Sequence, residues 1–434
     1  MRRSRRLRVA VLWLAAVICG GVPLSGQPLP SPLAAPSAAA ATGSELAISV
    51  ITFGPGDVLF ERFGHNALWV HDARNGADVA YNWGLYDFAQ PAFIRRFLTG
   101  DTKYSMGGAD ANLMLDAYHR LGRTITVQRL ALTPQQALAL RDFVRWNALD
   151  ENKFYRYDYF RDNCSTRLRD AIDRVLGGAL QQQSTGLTPL SYRSETLRLM
   201  NEDRPLQAGM DIALGRPADA PLSHWQSYFI PMRLRDGLRT VRVTGANGVV
   251  VPLVSEERVI APPPGSPEIV EEAVLPALVG RYLAVGIVLA ALVVGIRIMM
   301  LTRRGAAWGL ALFGAAWSLV CGVIGVIILL AWFATRHVFW SWNENLLLLV
   351  PLALGLVVLM PASLLSGRFV RAARMLASII ALLGLVALVL ALIPGGQQSG
   401  AIVALILPVN LAIAWALALP RLTTQRASAT PQLA

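Results

Sequence analysis

Chemistry in this chain begins at "RDNCSTRLRD" (161–170), which holds one of only three cysteines in 434 residues. Cys164 is the one outside strongly apolar sequence. A thiol serves as a nucleophile when a base, a group that orients the base and donors for an oxyanion surround it. Asp162 or Asn163 can cap a helix here. Leu168, Ala171, Ile172, Val175 and Leu176 recur at helical spacing, and Gly177 and Gly178 stop the run. Cys164 then occupies the first turn, where free backbone N–H groups and the positive end of the helix dipole favour a thiolate. The competing reading is a buried structural cysteine. A disulfide is disfavoured, because Cys19 falls in a leader-like segment and Cys321 in an apolar run. "DNC" offers too few ligands for a metal.

Five histidines can supply the base. His337 falls between apolar runs, His119 on a helix surface, His224 in a capping position, and His71 at the solvent end of a strand. His65 begins a strand directly after Gly64, where a glycine admits a close neighbour. It is the candidate base for Cys164. Asn82 in "YNWG" is the best-placed orienting residue, with His71 second.

The positioning elements are legible around these residues. "LAISVITFG", "HNALWVHD", "VAYNWGLYDF" and "TITVQRLAL" read as strands, with "RNGAD" as a tight turn. Thr133, Pro134 and Gln136 form the capping box of a helix through "QALALRDFVRWNAL". Together they predict an α+β domain over 44–260.

On either side the chain changes character. Five arginines precede an apolar run (9–22), which reads as an export signal over 1–26, followed by a Pro/Ala/Ser-rich linker at 27–43. After a second linker (261–281), apolar runs of spanning length recur at 282–301, 307–333, 346–365, 375–393 and 401–420. Arginine clusters fill alternate connections, so 44–260 lies outside and the tail at 421–434 in the cytoplasm. The net charge of +12 divides as +5 in 1–40, zero in 41–270 and +7 in 271–434. The excess therefore follows membrane topology and excludes a nucleic-acid surface as its cause. Arg281 and Arg297 are expected to snorkel, and Asp211 and Asp219 to cap loops.

Histidine on an early strand followed by "NC" at a helix start resembles the circularly permuted papain-like proteins. "GPGDVLFERFGHNALWVHD", "YNWGLYDF", "FLTGDTKYSM" and "YRYDYFRDNCSTRLRDAID", in that order, resemble the Lnb-type family of bacterial envelope proteins, and "SWNENLLLLVPL" resembles its membrane part. The resemblance implies a permuted papain-like Cys/His domain in the periplasm, followed by an α-helical membrane domain of about five spans in the inner membrane. It implies acyl transfer from membrane phospholipid, through a thioester on Cys164 with His65 as base, to the N-terminal amine of diacylated lipoproteins. N–H groups around Cys164 and Ser165 would cradle the oxyanion, and neither a metal nor a soluble cofactor would take part. Tyr157, Tyr159 and Arg161 form a candidate headgroup rim, and Asn343 and Asn345 are candidate contacts to lipid or acceptor amine. A periplasmic peptidase or peptidoglycan hydrolase using the same pair is the alternative, and a non-catalytic membrane scaffold the third.

Overall fold

The computed structural model describes residues 42–58, 61–87, 90–266, 271, 278–303 and 305–420. The expected export signal, nearly all of the linker after it, and the C-terminal tail lie outside the described residues.

The N-terminal part is built on strands β1 (Leu46–Phe53), β2 (His65–Asp72) and β3 (Ala77–Leu85), then helix α1 (Phe93–Leu98), β4 (Lys103–Asp110), α2 (Ala111–Arg120), β5 (Ile125–Leu130), α3 (Pro134–Asn147) and β6 (Phe154–Arg156). Helices α4 (Cys164–Val175), α5 (Ala179–Gln182), α6 (Tyr192–Leu199), α7 (Arg204–Ala213), α8 (His224–Ser227) and α9 (Pro231–Thr240) follow. A β7 (Arg242–Thr244)–β8 (Val250–Pro252) hairpin leads into β9 (Val254–Ile260). The main sheet is antiparallel with strand order β6-β4-β3-β2-β1-β5-β9.

Strand alternation decides what covers each face. Ile48, Val50, Leu68, Val70, Tyr81 and Trp83 face a core completed by Leu140 and Val144 of α3, Leu168 and Ile172 of α4, and Leu234 and Leu238 of α9. Ile51, Phe53, Ala67, Ala80 and Ile125 face the other way, against Met114, Leu115 and Tyr118 of α2. The central strands are thus covered on both faces.

The four expected strands correspond to β1, β2, β3 and β5, and the Thr133–Gln136 capping box forms at the head of α3. The remaining strands gave no alternating signal. β9 (VSEERVI) is an edge strand with five consecutive exposed residues, and β6 is three residues long.

The C-terminal part holds α10 (Leu278–Met299), α11 (Ala306–Ala334), α12 (Leu354–Pro361), α13 (Val370–Leu392) and α14 (Gly400–Ala418). All but α12 are long and apolar enough to cross a membrane. The third expected span is not one helix: segments 338–347 and 351–366 meet at a 46° bend. Pro351 and Pro361 interrupt the backbone ladder there. The two ends of the bent segment meet opposite ends of α14. At one end Glu344 accepts from Gln397 N–H (3.2 Å), in the loop between α13 and α14. At the other it leads into the head of α13, where Arg374 donates to Leu417 O and Leu419 O at the far end of α14.

Two expectations are corrected here. Arg297 does not snorkel: its guanidinium is buried and donates to Ala416 O (3.0 Å) and Pro420 O (2.8 Å). Ala416 O lies in the last turn of α14, where carbonyls lack a helical partner, and Pro420 O just beyond it. Asp211 and Asp219 cap no loop. They flank the buried Arg193 guanidinium, each at 2.8 Å. Arg193 also binds Asp211 O and Leu214 O, which fixes the end of α7.

Candidate active site

Asn163 makes the thiol's position. Its side chain accepts from the N–H groups of Ser165 and Thr166 (2.9 Å each), while Thr166 Oγ1 accepts from Asn163 N–H, a reciprocal cap. The Asn163 amide also donates to Tyr159 O and Phe229 O, tying the cap to the approach strand and to the segment before α9. Cys164 is consequently the first residue of α4, buried and unpaired. Its sulfur is approached by the backbone N–H groups of Asn66, Ser165 and Cys164 itself. The Ser165 N–H is shared with the Asn163 cap, so Asn66 and Cys164 are the freer donors.

Burial nevertheless outweighs these donors and pushes the Cys164 thiol up to about 11. The expectation that the helix start favours a thiolate is reversed at rest. Desolvation likewise lowers His65 to about 4, against a hydrogen bond to the Asn82 side-chain oxygen that raises it, and the Arg123 guanidinium lowers it further. Thiol and imidazole are both neutral near pH 7.

Glycines let these groups approach. Gly64 and Gly84 both adopt left-handed backbone, at φ 75° and 91°. A Cβ on Gly84 would sit 3.7 Å from Cys164 Cβ and 3.8 Å from the Tyr157 ring. The β2–β3 register pairs Leu68 with Tyr81 and, carried down both strands, leads to His65 and Gly84. His65 projects with Phe53 and Tyr118, each ring 6.2 Å away and nearly parallel. Cys164 packs into the core of the opposite face. The two groups therefore reach one end of the sheet from different sides, with no hydrogen bond between them at rest. Their link is Asn66, which follows His65 and whose N–H meets the sulfur. Its fully buried side chain donates to Ser165 Oγ (3.1 Å), and Ser165 Oγ donates to Tyr228 O (2.6 Å).

The other candidates are placed as follows. Tyr157 stacks on Tyr104 with centroids 4.2 Å apart, beside Gly84 and the thiol. Tyr159 is turned away, against His337 and Phe339, and the Arg161 guanidinium lies 4.8 Å from the Phe339 ring. Asn343 and Asn345 are buried, and their amides donate to Ile212 O and Ala213 O and to Asp211 O and Ile212 O. Both therefore cap the end of α7. His71 pairs with Asp78 at 2.9 Å, whereas the His65 ring is hydrogen-bonded to the Asn82 side chain. Among the described residues, no cluster of three or more His, Cys, Asp or Glu is arranged to hold a metal ion.

Asn66 was missed in the sequence because its contribution is a backbone donor that only the fold of β2 against α4 reveals. Arg123 was missed for a related reason. It follows Gly122 in a turn, yet it is buried, with Nε donating to Gly54 O (2.5 Å) beside the histidine.

No curated protein and no solved structure shows significant similarity to the chain. Residues 36–202 match the model of the Lnb N-terminal periplasmic domain, a stretch that contains His65, Asn82 and Cys164. With four or five membrane-capable helices after it, the arrangement suits an inner-membrane protein with an exported domain. By this match, the N-terminal part of the chain belongs to the Lnb N-terminal periplasmic domain family.

Proposed function

We propose that the protein is a membrane-bound cysteine acyltransferase of papain-like, circularly permuted design, which moves a fatty acyl chain from phospholipid to the N-terminal amine of bacterial lipoproteins. The carrying observation is Cys164 at the capped head of α4, met by the Asn66 N–H beside His65 and Asn82, in a domain of this family.

In the proposed cycle the Cys164 S–H proton passes to His65 as the sulfur attacks an ester carbonyl of the donor lipid. N–H groups of Asn66 and Cys164 hold the oxyanion. The ester C–O bond breaks, the lysophospholipid takes the proton from His65, and a thioester remains. The lipoprotein amine then attacks the thioester, the C–S bond breaks, and the amine proton returns through His65 to the sulfur. The unprotonated imidazole is free to accept a proton, and substrate binding has to narrow the gap between the two groups before that proton moves. Closure of the thiol–imidazole distance on binding is part of the proposal, since catalytic hydrogen bonds commonly tighten in the substrate complex.

Support for lipid as substrate comes from the tether. The exported domain is joined to the membrane helices by the Asn343 and Asn345 bonds to α7, and by an aromatic cluster of Phe160, Tyr192, Phe229 and Phe339. Intact-mass measurement of the full-length protein with phospholipid tests the reading. A hydroxylamine-labile acyl adduct is expected on the wild type and none on Cys164→Ala. Absence of the adduct together with cleavage of peptide substrates would replace the acyltransferase by a hydrolase.

A further inference from the structure

Where the exported domain meets the membrane helices, a cleft of about 470 Å³ opens between Arg216, Trp332, Trp342, Glu344, Leu346 and Leu347. Its charges are unusual. Arg216 uses Nε to hold Gly395 O (2.9 Å), and among the described residues no carboxylate pairs with its guanidinium. Among the described residues, the Glu344 carboxylate accepts only a backbone N–H, from Gln397, and pairs with no cation. A cation and an anion thus line one cleft without neutralising each other. Trp332, near the outer end of α11, and Trp342 stand beside them with ring centroids 5.2 Å apart. Trp342 is held at φ 51°, left-handed backbone that a bulky residue rarely adopts, and its indole stays 66 % exposed. Leu346 and Leu347 continue the wall toward the apolar helices.

We propose that this cleft seats the headgroup of a zwitterionic phospholipid. The phosphate lies on Arg216, the ammonium between Glu344 and the two indoles, and the acyl chains leave over Leu346 and Leu347. The size falls in the range of small-ligand sites. A singly charged anionic lipid would satisfy Arg216 and leave Glu344 facing its headgroup. Discrimination therefore comes from Glu344 and affinity from Arg216. Only the further statement that this lipid is the acyl donor rests on the acyltransferase reading.

The test uses full-length protein carrying Cys164→Ala, so that nothing turns over, and native mass spectrometry with phosphatidylethanolamine and phosphatidylglycerol of identical chains. The expected result is retention of the ethanolamine lipid about tenfold above the glycerol lipid, a charge-assisted preference of ordinary size. Glu344→Gln should abolish the preference, Arg216→Gln should weaken both lipids, and Arg216→Lys should recover part of the loss. Trp342→Leu, at an exposed position, reads the same preference should Glu344→Gln not fold. Equal retention of the two lipids, or a preference that survives both Glu344→Gln and Trp342→Leu, overturns the cleft. The two proposals fail separately. Selective retention with no thioester on the wild type sinks the acyltransferase and keeps the cleft. A thioester formed equally from both lipids, unaffected by the variants, does the reverse.

Discussion

At Cys164 two local effects oppose each other, and the larger one sets the resting state. Backbone donors at the head of α4 favour a thiolate, yet desolvation lifts the thiol to about 11 while it lowers His65 to about 4. Alkylation by iodoacetamide should therefore keep accelerating up to high pH. A fast plateau at neutral pH would mean that a thiolate–imidazolium pair exists after all. The Asn82 hydrogen bond raises the His65 pKa, so Asn82→Ala should lower it further and weaken the base. A kcat loss of at least about tenfold is expected, with little change in KM. Stability follows the same histidine. Its folded pKa lies below the unfolded value, so its contribution is complete above about pH 6.5 and is lost as pH falls from there toward about 4. Denaturant midpoints of wild type and His65→Gln should converge across that window.

Among the elements, α4 and the β2–β3 pair carry the site, and each depends on one small local device. Asn163 caps the helix and binds two further carbonyls, so Asn163→Ala should cost about 1–2 kcal/mol from the cap alone, measured by denaturant unfolding. Gly84→Ala meets the left-handed backbone first, a cost of about 1–2 kcal/mol, and then places a methyl against the thiol and the Tyr157 ring. Reactivity of Cys164 should fall with it. These devices also show what could be read from sequence. The cap at 163, the stop at 177–178 and the alternation of β2 are local signals, and they placed Cys164 and His65 on the right kind of element. The face from which each side chain arrives is a tertiary fact. So is the Asn66 N–H, a donor that every residue but proline possesses. Asn343 and Asn345 read as a polar island beside tryptophans, which is equally what a lipid contact and a helix cap require. Only the position of α7 distinguishes the two. The third span misled for a simpler reason: hydropathy counts apolar residues and does not register the bend between Val338–Leu347 and Pro351–Ser366.

For the whole molecule, the joint between exported domain and membrane helices is polar inside and aromatic around. Arg193 holds Asp211 and Asp219 at its centre. Arg193→Met should leave two carboxylates buried without a cation, a loss of about 3–5 kcal/mol, visible as a lower melting temperature of the intact protein. The inner ends of the helices are joined by a different rule. Arg297 of α10 and Arg374 of α13 both donate to the last carbonyls of α14. Of these helices ribosomes emit α10 first and α14 last, so Arg297 is made more than a hundred residues before its acceptors. Within a bilayer its charge would be uncompensated until they appear. If the final helix completes assembly in this way, a chain ending before Gly400 should be cleared by membrane proteases while its N-terminal domain is still folded, which pulse-chase blotting of the truncated protein would show.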